Sequence, residues 1–337
     1  MAKVAVLGGG SWGIALAVLL HKNGHEITVW SALDKEIEML ANEHEHKMLP
    51  GVKLAEDMIF TTNEEEAVKG KDMLVMAVAS SYTRVTARRF KEYVVPGQII
   101  VNVAKGIEEN TVMTLTEIIE QEIPQCQIAV LSGPSHAEEV SKGVPTTIVV
   151  GAKKKATAEY IRNLFMNEVF RVYISPDILG IELGGALKNV VALAAGIADG
   201  LGYGDNTKAA LITRGITEIG RLGMAMGGLY ETFSGLTGIG DLIVTCASMH
   251  SRNRRAGVLI GQGMSMEDAM NEVKMVVEGV YSAKAAMQLA RKYDVQLPII
   301  EQVNLVLFEG KPAAEAVKDL MLRDKKIEVS DAPWEEE

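Results

Sequence analysis

The chain has 337 residues, enough for two domains of ordinary size. Hydrophobic residues make up 48% and charged residues 23%, which excludes a disordered chain. Lys and Arg number 34 against 44 Asp and Glu, and the net charge of −10 excludes general binding to a nucleic-acid backbone.

In chain order, Val4–Leu7 reads as a buried strand, and the charge-free run from Val4 to Leu20 superficially looks like a signal peptide or anchor. Gly8, Gly9, Gly10 and Gly13 interrupt that run and no small-residue cleavage site follows, so it reads as a turn leading into a helix over Ile14–His21. Further strands are predicted at Ile27–Trp30, Met73–Val78, Ile99–Val103, Ile128–Leu131 and Thr146–Val150, with helices at Lys35–Ala41 and Met113–Gln121. This alternation predicts an α/β domain over 1–177, a doubly wound and mostly parallel sheet. Past Pro176 no strand pattern is found, and 178–325 reads as an all-α domain. Its apolar stretch Val190–Ala198 is too short to span a bilayer, so no stable membrane insertion is expected. Residues 326–337, closing on Glu335–Glu337, read as a solvated acidic tail. Aromatics are only 5% beside 32 glycines, so the core must rely on small and aliphatic side chains in close helix contacts. Cys126 and Cys246 stand far apart without C-x-x-C spacing, which favours a reducing, cytoplasmic setting over disulfides or zinc.

Gly8-Gly9-Gly10-Ser11-Trp12-Gly13 matches G-x-G-x-x-G between the first strand and the first helix. Gly8 permits the turn, Gly10 lets the backbone approach a pyrophosphate, and Gly13 lets the helix pack on the strand. The helix N-terminus then favours the anion. A plain glycine turn is the alternative, and the surrounding alternation argues for the dinucleotide. The choice between NAD and NADP stays open. Asp34 falls slightly late for an acid on the adenine ribose and equally suits a helix cap, while Lys35 can meet a 2′-phosphate or simply be solvated.

Leu183–Gly202 is apolar nearly all round and carries only Lys188 and Asp199 as charges, so it belongs in a buried centre. Gly184, Gly185, Val191 and Ala192 surround Lys188 at helical spacing, and Asp199 lies ~16 Å along the axis. Lys188 therefore snorkels to water or takes a partner from elsewhere, a ligand included. Asp241, in Gly235-Leu236-Thr237-Gly238-Ile239-Gly240-Asp241, is the candidate partner; a helix N-cap is its plainer reading. Ser251-Arg252-Asn253-Arg254-Arg255 is a basic cluster suited to phosphate oxygens, or else a salt-bridged surface turn. His44 and His46 read as a solvated helix end and not a metal site. His136, after a strand end, is either a general base or a neighbour of a helix cap.

With those residues in place the sequence resembles the bacterial NAD(P)-dependent glycerol-3-phosphate dehydrogenase family, from the glycine loop to about Met321. The resemblance rests on Gly8–Gly13, Ala104-Lys105-Gly106-Ile107-Glu108, Leu131–Glu138, Gly184–Asn189, Gly235–Thr245, Ser251–Asn253 and Val276–Gly279. It implies an N-terminal Rossmann domain and an all-helical domain with the active site in the cleft between them. It further implies reversible reduction of dihydroxyacetone phosphate to sn-glycerol 3-phosphate with NAD(H) or NADP(H) and no metal, in support of glycerophospholipid synthesis. Lys188 then corresponds to the general acid/base, positioned by Asp241. Lys105, Gly133, Ser135, Asn189, Thr245, Ser251, Arg252 and Asn253 correspond to substrate positions. Gly8, Gly10, Ser11, Trp12, Gly13, Ala137, Val276 and Glu278 correspond to cofactor positions, with Lys105 and Arg252 reaching both ligands. His136 receives no catalytic role.

Three departures stand out. Ala32 and Leu33 replace basic or imidazole residues frequent after the second strand, which weakens an assumption of NADPH preference. Ala79 replaces a usual proline, so a looser turn is expected near the nicotinamide, and Ala104 replaces a usual serine. Two rivals are weighed: a dehydrogenase of the same architecture acting on a β-hydroxy acid or sugar-acid phosphate, and a nucleotide sensor without turnover. Ser251–Asn253 and the Gly235–Asp241 turn speak against the first, and the retained Lys188, Asp241 and Lys105 against the second. The oligomeric state stays open, a homodimer included.

Overall fold

A computed structural model describes residues 1–325 together with 327 and 328; the remainder of the expected acidic tail lies outside the described residues. The first half runs β1 (Lys3–Leu7), α1 (Ser11–Lys22), β2 (Glu26–Trp30), α2 (Asp34–Glu43), β3 (Ile59–Thr61), α3 (Glu64–Val68) and β4 (Met73–Met76). It continues through α4 (Thr83–Phe90), β5 (Ile99–Asn102), α5 (Leu115–Glu122), β6 (Gln127–Ser132), α6 (Ala137–Val140), β7 (Thr146–Ala152), α7 (Lys155–Phe165) and β8 (Phe170–Ser175). The strands form one sheet in the order β3-β2-β1-β4-β5-β6-β7-β8. Every pair is parallel except β6 with β7. The order reverses between β1 and β4, and that crevice is where doubly wound sheets bind ligands.

The six predicted strands are present, and two were missed. β3 has only 3 residues, too few to show a period. β8 turns Arg171 and Tyr173 outward at the sheet edge, so its apolar signal comes from one face alone. His46 departs from the expected solvated helix end: it is buried, its Nδ1 accepts from the Met48 N–H at 3.2 Å, and burial pushes its pKa down. His44 closes α2 in the left-handed conformation.

The second half is helical: α8 (Ile178–Gly200), α9 (Asp205–Ala225), α10 (Tyr230–Phe233), α11 (Asp241–Ala247), α12 (Arg252–Gly261), α13 (Met266–Val273), α14 (Glu278–Lys292), α15 (Pro298–Phe308) and α16 (Ala313–Met321). By length and composition α8 could cross a membrane, yet 89% of its most apolar window is buried inside the fold, so it is a core helix. It starts firmly. The Asp177 side chain caps it by accepting from the Gly180 N–H at 2.9 Å, and also accepts from the Leu229 N–H at 2.9 Å.

Burying α8 on all sides needs neighbours that come close, and glycine supplies the room. A Cβ on Gly196 would lie 2.1 Å from the Arg254 carbonyl oxygen, and one on Gly200 would lie 2.3 Å from that of Val258. From the other side, Gly257 faces the Leu193 carbonyl and Gly261 that of Ile197, each at 2.3 Å. Two glycine pairs at four-residue spacing thus bring α8 and α12 backbone to backbone. Gly196→Ala should cost about 2 kcal/mol or more, because the obstacle is backbone and cannot turn aside. Gly204→Ala, where a Cβ meets nothing within 4 Å, should stay within about 0.5 kcal/mol. Urea unfolding of the two variants beside the parent checks the contrast.

Candidate active site

Lys188 sits midway along α8, and its side chain is 6% exposed. Its Nζ donates to Asp241 Oδ1 and, at 2.7 Å, to Thr245 Oγ1. The other Asp241 oxygen accepts from Lys105 Nζ at 2.6 Å, and the same Nζ donates to the Gly133 carbonyl at 2.9 Å. One buried carboxylate therefore bridges two ammonium groups. Lys105 follows β5 and Gly133 follows β6, so the carboxyl ends of two strands meet the middle of α8 here.

Local sequence explains the meeting. Leu236–Gly240 forms a wide π-helical turn that runs directly into α11, making Asp241 the first residue of that helix. The N-cap reading of Asp241 is thereby corrected, because its carboxylate receives lysines. Gly184 lets the turn approach: a Cβ there would lie 2.5 Å from the Thr237 carbonyl. Gly185 faces Ser132 Oγ and the Lys105 stem in the same way. Thr245, one turn on from Asp241, donates its hydroxyl to the Asp241 carbonyl at 2.6 Å and offers its lone pair to Lys188.

The electrostatics follow from burial. Removal from water pushes the Lys188 ammonium down to about 7, against the pull of Asp241 and with the help of the Lys105 charge. Burial alone would raise Asp241, but Lys105 and Lys188 outweigh it and hold the carboxyl below its ordinary value. Burial, with Lys188 adding to it, also lowers His136, whose buried Nε2 has no partner among the described residues.

The basic cluster divides. Arg254 pairs with Asp199 at 2.7 Å, and Lys208 joins the same carboxylate at 2.9 Å, so Asp199 has no part in holding Lys188. Arg255 is exposed. Arg252 makes no ion pair among the described residues, and burial lowers its pKa. Ser251 caps α12 by accepting from the Arg254 N–H at 3.2 Å. Asn253 Nδ2 donates to Asn189 Oδ1 at 2.9 Å while its Oδ1 accepts from the Gly279 N–H at 2.8 Å. These contacts bring α8, α12 and the start of α14 together at one point. Ser135 Oγ donates to the Gly133 carbonyl at 2.9 Å, beside Lys105.

The glycine loop fits a dinucleotide. Gly8 has φ of +132° with its Cα against the Ala77 backbone, and a Cβ on Gly13 would lie 2.2 Å from the Gly8 carbonyl. A Cβ on Gly10 meets nothing, which leaves the space outside that turn open, and the first turn of α1 has no side-chain cap. Ser11 opens α1, and Trp12 Nε1 donates to the Val103 carbonyl at 3.2 Å. Ala137 opens α6, and half-buried Val276 precedes α14. Glu278 is committed differently from expectation: both carboxyl oxygens take Ser80, one from its N–H at 3.1 Å and the other from its hydroxyl. Ala79 keeps φ of −60°, the value a proline would impose, and Glu278 ties the next residue; the expected looser turn is not found.

Sequence reasoning passed over Glu182. It is fully enclosed, accepts from the Thr116 N–H at 2.9 Å and from Asn102 Nδ2 at 3.3 Å, and burial pushes it up to about 7. Asn102 in turn braces Ala104 through the backbone N–H at 3.2 Å and the carbonyl at 3.1 Å, immediately before Lys105. An acid inside an apolar run, six residues before Lys188, was the available signal.

Comparison with known proteins points to one family. Residues 3–158 match the family model described as NAD-dependent glycerol-3-phosphate dehydrogenase N-terminus, and 177–318 match that of the C-terminus. A glycerol-3-phosphate dehydrogenase [NAD(P)+] of Agathobacter rectalis is 63% identical, with 99% of this chain and 100% of the relative covered. One from Fusobacterium nucleatum is 62% identical over 98% of this chain and 99% of its own length. The crystal structure of glycerol-3-phosphate dehydrogenase from Coxiella burnetii superposes with a TM-score of 0.92 at 34% identity, covering 96% of this chain and 99% of that one. The chain belongs to the NAD-dependent glycerol-3-phosphate dehydrogenase family.

Proposed function

We propose that the protein reduces dihydroxyacetone phosphate to sn-glycerol 3-phosphate, reversibly, with a nicotinamide dinucleotide as redox partner. The observation that carries this reading is the buried Lys188–Asp241–Lys105 arrangement at the carboxyl ends of β5 and β6. We divide the chain into a dinucleotide-binding domain, 1–177, and a helical substrate domain, 178–325; the end of β8 at Ser175 and the start of α8 at Ile178 support the division. The product, a glycerol carrying free hydroxyls and a phosphate, suits acylation in glycerophospholipid synthesis, and a cytoplasmic setting accords with the unpaired cysteines.

Gly8, Gly10 and Gly13 hold the pyrophosphate against the first turn of α1, with Ser11 and Trp12 in that turn. Ala137 at the start of α6, and Val276 and Glu278 at the start of α14, would border the cofactor. When bound, the reduced nicotinamide supplies a hydride to the ketone carbon. Arg252, with Ser251 and Asn253 at the N-terminus of α12, clamps the substrate phosphate; charge-assisted bonds of this kind contribute roughly 1.5–3 kcal/mol each. Asn189 and Asn253 each keep an amide N–H beyond their mutual contact for substrate oxygens. Gly133 and Ser135 border the substrate where Lys105 enters. Lys188, as the ammonium, polarises the carbonyl and gives its proton to the developing alkoxide; as the neutral amine it removes the hydroxyl proton in reverse. Asp241 and Thr245 aim its Nζ, and Lys105 adds a second positive charge for the substrate oxygens.

Lys188→Ala should lower turnover about 10²-fold or more while nicotinamide fluorescence still reports cofactor binding. Unchanged turnover with dihydroxyacetone phosphate would sink the acid/base assignment. Asp241→Asn should both slow the reaction and destabilise the fold by about 3 kcal/mol, since buried Lys188 and half-buried Lys105 lose their shared partner.

The pH dependence has a definite sign. Because Lys188 is pushed down to about 7, its charged form is lost as pH rises through that value. Reduction, which uses the ammonium, should have kcat/KM that falls on the alkaline side of about 7, and oxidation should fall on the acid side. Initial rates in both directions across this range check it; parallel profiles would contradict the assignment.

A further inference from the structure

The acid expected on the adenine side of the glycine loop was sought at Asp34. The structure puts another residue there. Asp34 and Lys35 are both exposed at the start of α2, whereas Glu36 turns back toward the loop. A Cβ on Gly9 would lie 2.7 Å from Glu36 Oε2 and 2.9 Å from its Cδ, so the carboxylate rests directly on the loop backbone. It is held in place. Ser31 Oγ donates to Glu36 Oε2 at 2.5 Å while accepting from the Leu33 N–H at 3.2 Å. Ser31 is the first residue after β2, and β2 lies beside β1 on the side of the sheet away from β4. In a doubly wound sheet that side of the loop receives the adenosine half of a dinucleotide.

We propose that Glu36 is the residue that selects the coenzyme, accepting hydrogen bonds from the 2′- and 3′-hydroxyls of the adenine ribose and excluding a 2′-phosphate. The inference rests on the dinucleotide reading above and adds a preference for NAD(H) over NADP(H). Three observations support it together. The carboxylate is positioned by Ser31, with one oxygen not used by that contact. Glu36 makes no ion pair among the described residues, so no protein cation there neutralises it for an incoming phosphate. Ala32 and Leu33, where an arginine could grip that phosphate, have no charge, and Leu33 is 63% exposed. A phosphate dianion would meet a fixed carboxylate of like sign, whereas two ribose hydroxyls would meet an acceptor. Glu36 was hidden from sequence inspection because it acts from inside a helix, six residues after the strand end where such acids are sought.

The test titrates NADH and NADPH separately into the full chain without substrate, following nicotinamide fluorescence, and then measures kcat/KM for each with dihydroxyacetone phosphate. NADH should bind about tenfold or more tightly than NADPH, like-charge contact being the difference. Glu36→Gln should narrow that ratio, with NADPH binding gained and NADH binding weakened. If that variant fails to fold, Ser31→Ala, which releases the carboxylate, should narrow the ratio as well. Equal affinities in the parent, tighter binding of NADPH, or a variant that weakens both coenzymes alike would overturn the assignment and leave the dehydrogenase reading intact. Binding of neither coenzyme would overturn both.

Discussion

Two lysines share one carboxylate at the centre of the molecule, and when both are charged the sum is a positive charge that no further acid pairs with among the described residues. Such a charge is expensive in a dry interior, and the fold meets the cost only in part. Asp241 keeps its proton off because Lys105 and Lys188 flank it, while Lys188 is pushed to about 7 because burial outweighs the carboxylate's pull. Arg252 adds a further, half-buried cation without an ion pair among the described residues. In the proposed reaction a small phosphate-bearing substrate would complete what the protein leaves unbalanced.

That arrangement is possible because α8 has little side chain where other backbone must come near. Gly184 admits the π-helical turn that delivers Asp241, and Gly185 admits the stem of Lys105. Gly196 and Gly200 admit α12, which carries Ser251, Arg252 and Asn253. Gly279 admits α14 against the Asn189 carbonyl. The abundance of glycine and the scarcity of aromatic residues, apparent in the composition, are thus the material condition for the site. Apolar side chains surround the polar centre on α8 and supply the burial that shifts its lysine.

Much of this was legible beforehand because it is local. The alternation of short apolar strands with helices announces a doubly wound sheet, and the glycine loop is readable because its turn, helix and strand are contiguous. Lys188 was conspicuous as a charge in grease. What escaped detection depends on contacts between distant segments. Glu182 looks like an ordinary helix residue until Thr116 and Asn102 close over it, and Glu278 takes Ser80 across 198 positions. Glu36 shows its direction only once the loop is folded beneath it. The edge strand β8 and the brief β3 escaped for a different reason: a half-buried or very short strand has too little pattern.

The paired glycines of α8 and α12 carry a mechanical consequence. Backbones that touch at two successive turns cannot separate or roll without losing both contacts, so Lys188 on α8 and Arg252 on α12 move as one rigid body. This body meets the sheet through both kinds of contact: apolar ones, with Ile181 against Gly151 of β7 and Ile107 among the apolar residues of the helices, and polar ones, Lys105 with Asp241, Ser80 with Glu278 and Thr116 with Glu182. The spacing between α8 and α12 is therefore fixed by backbone contact, while a joint of mixed apolar and polar contacts sets how that pair lies on the sheet.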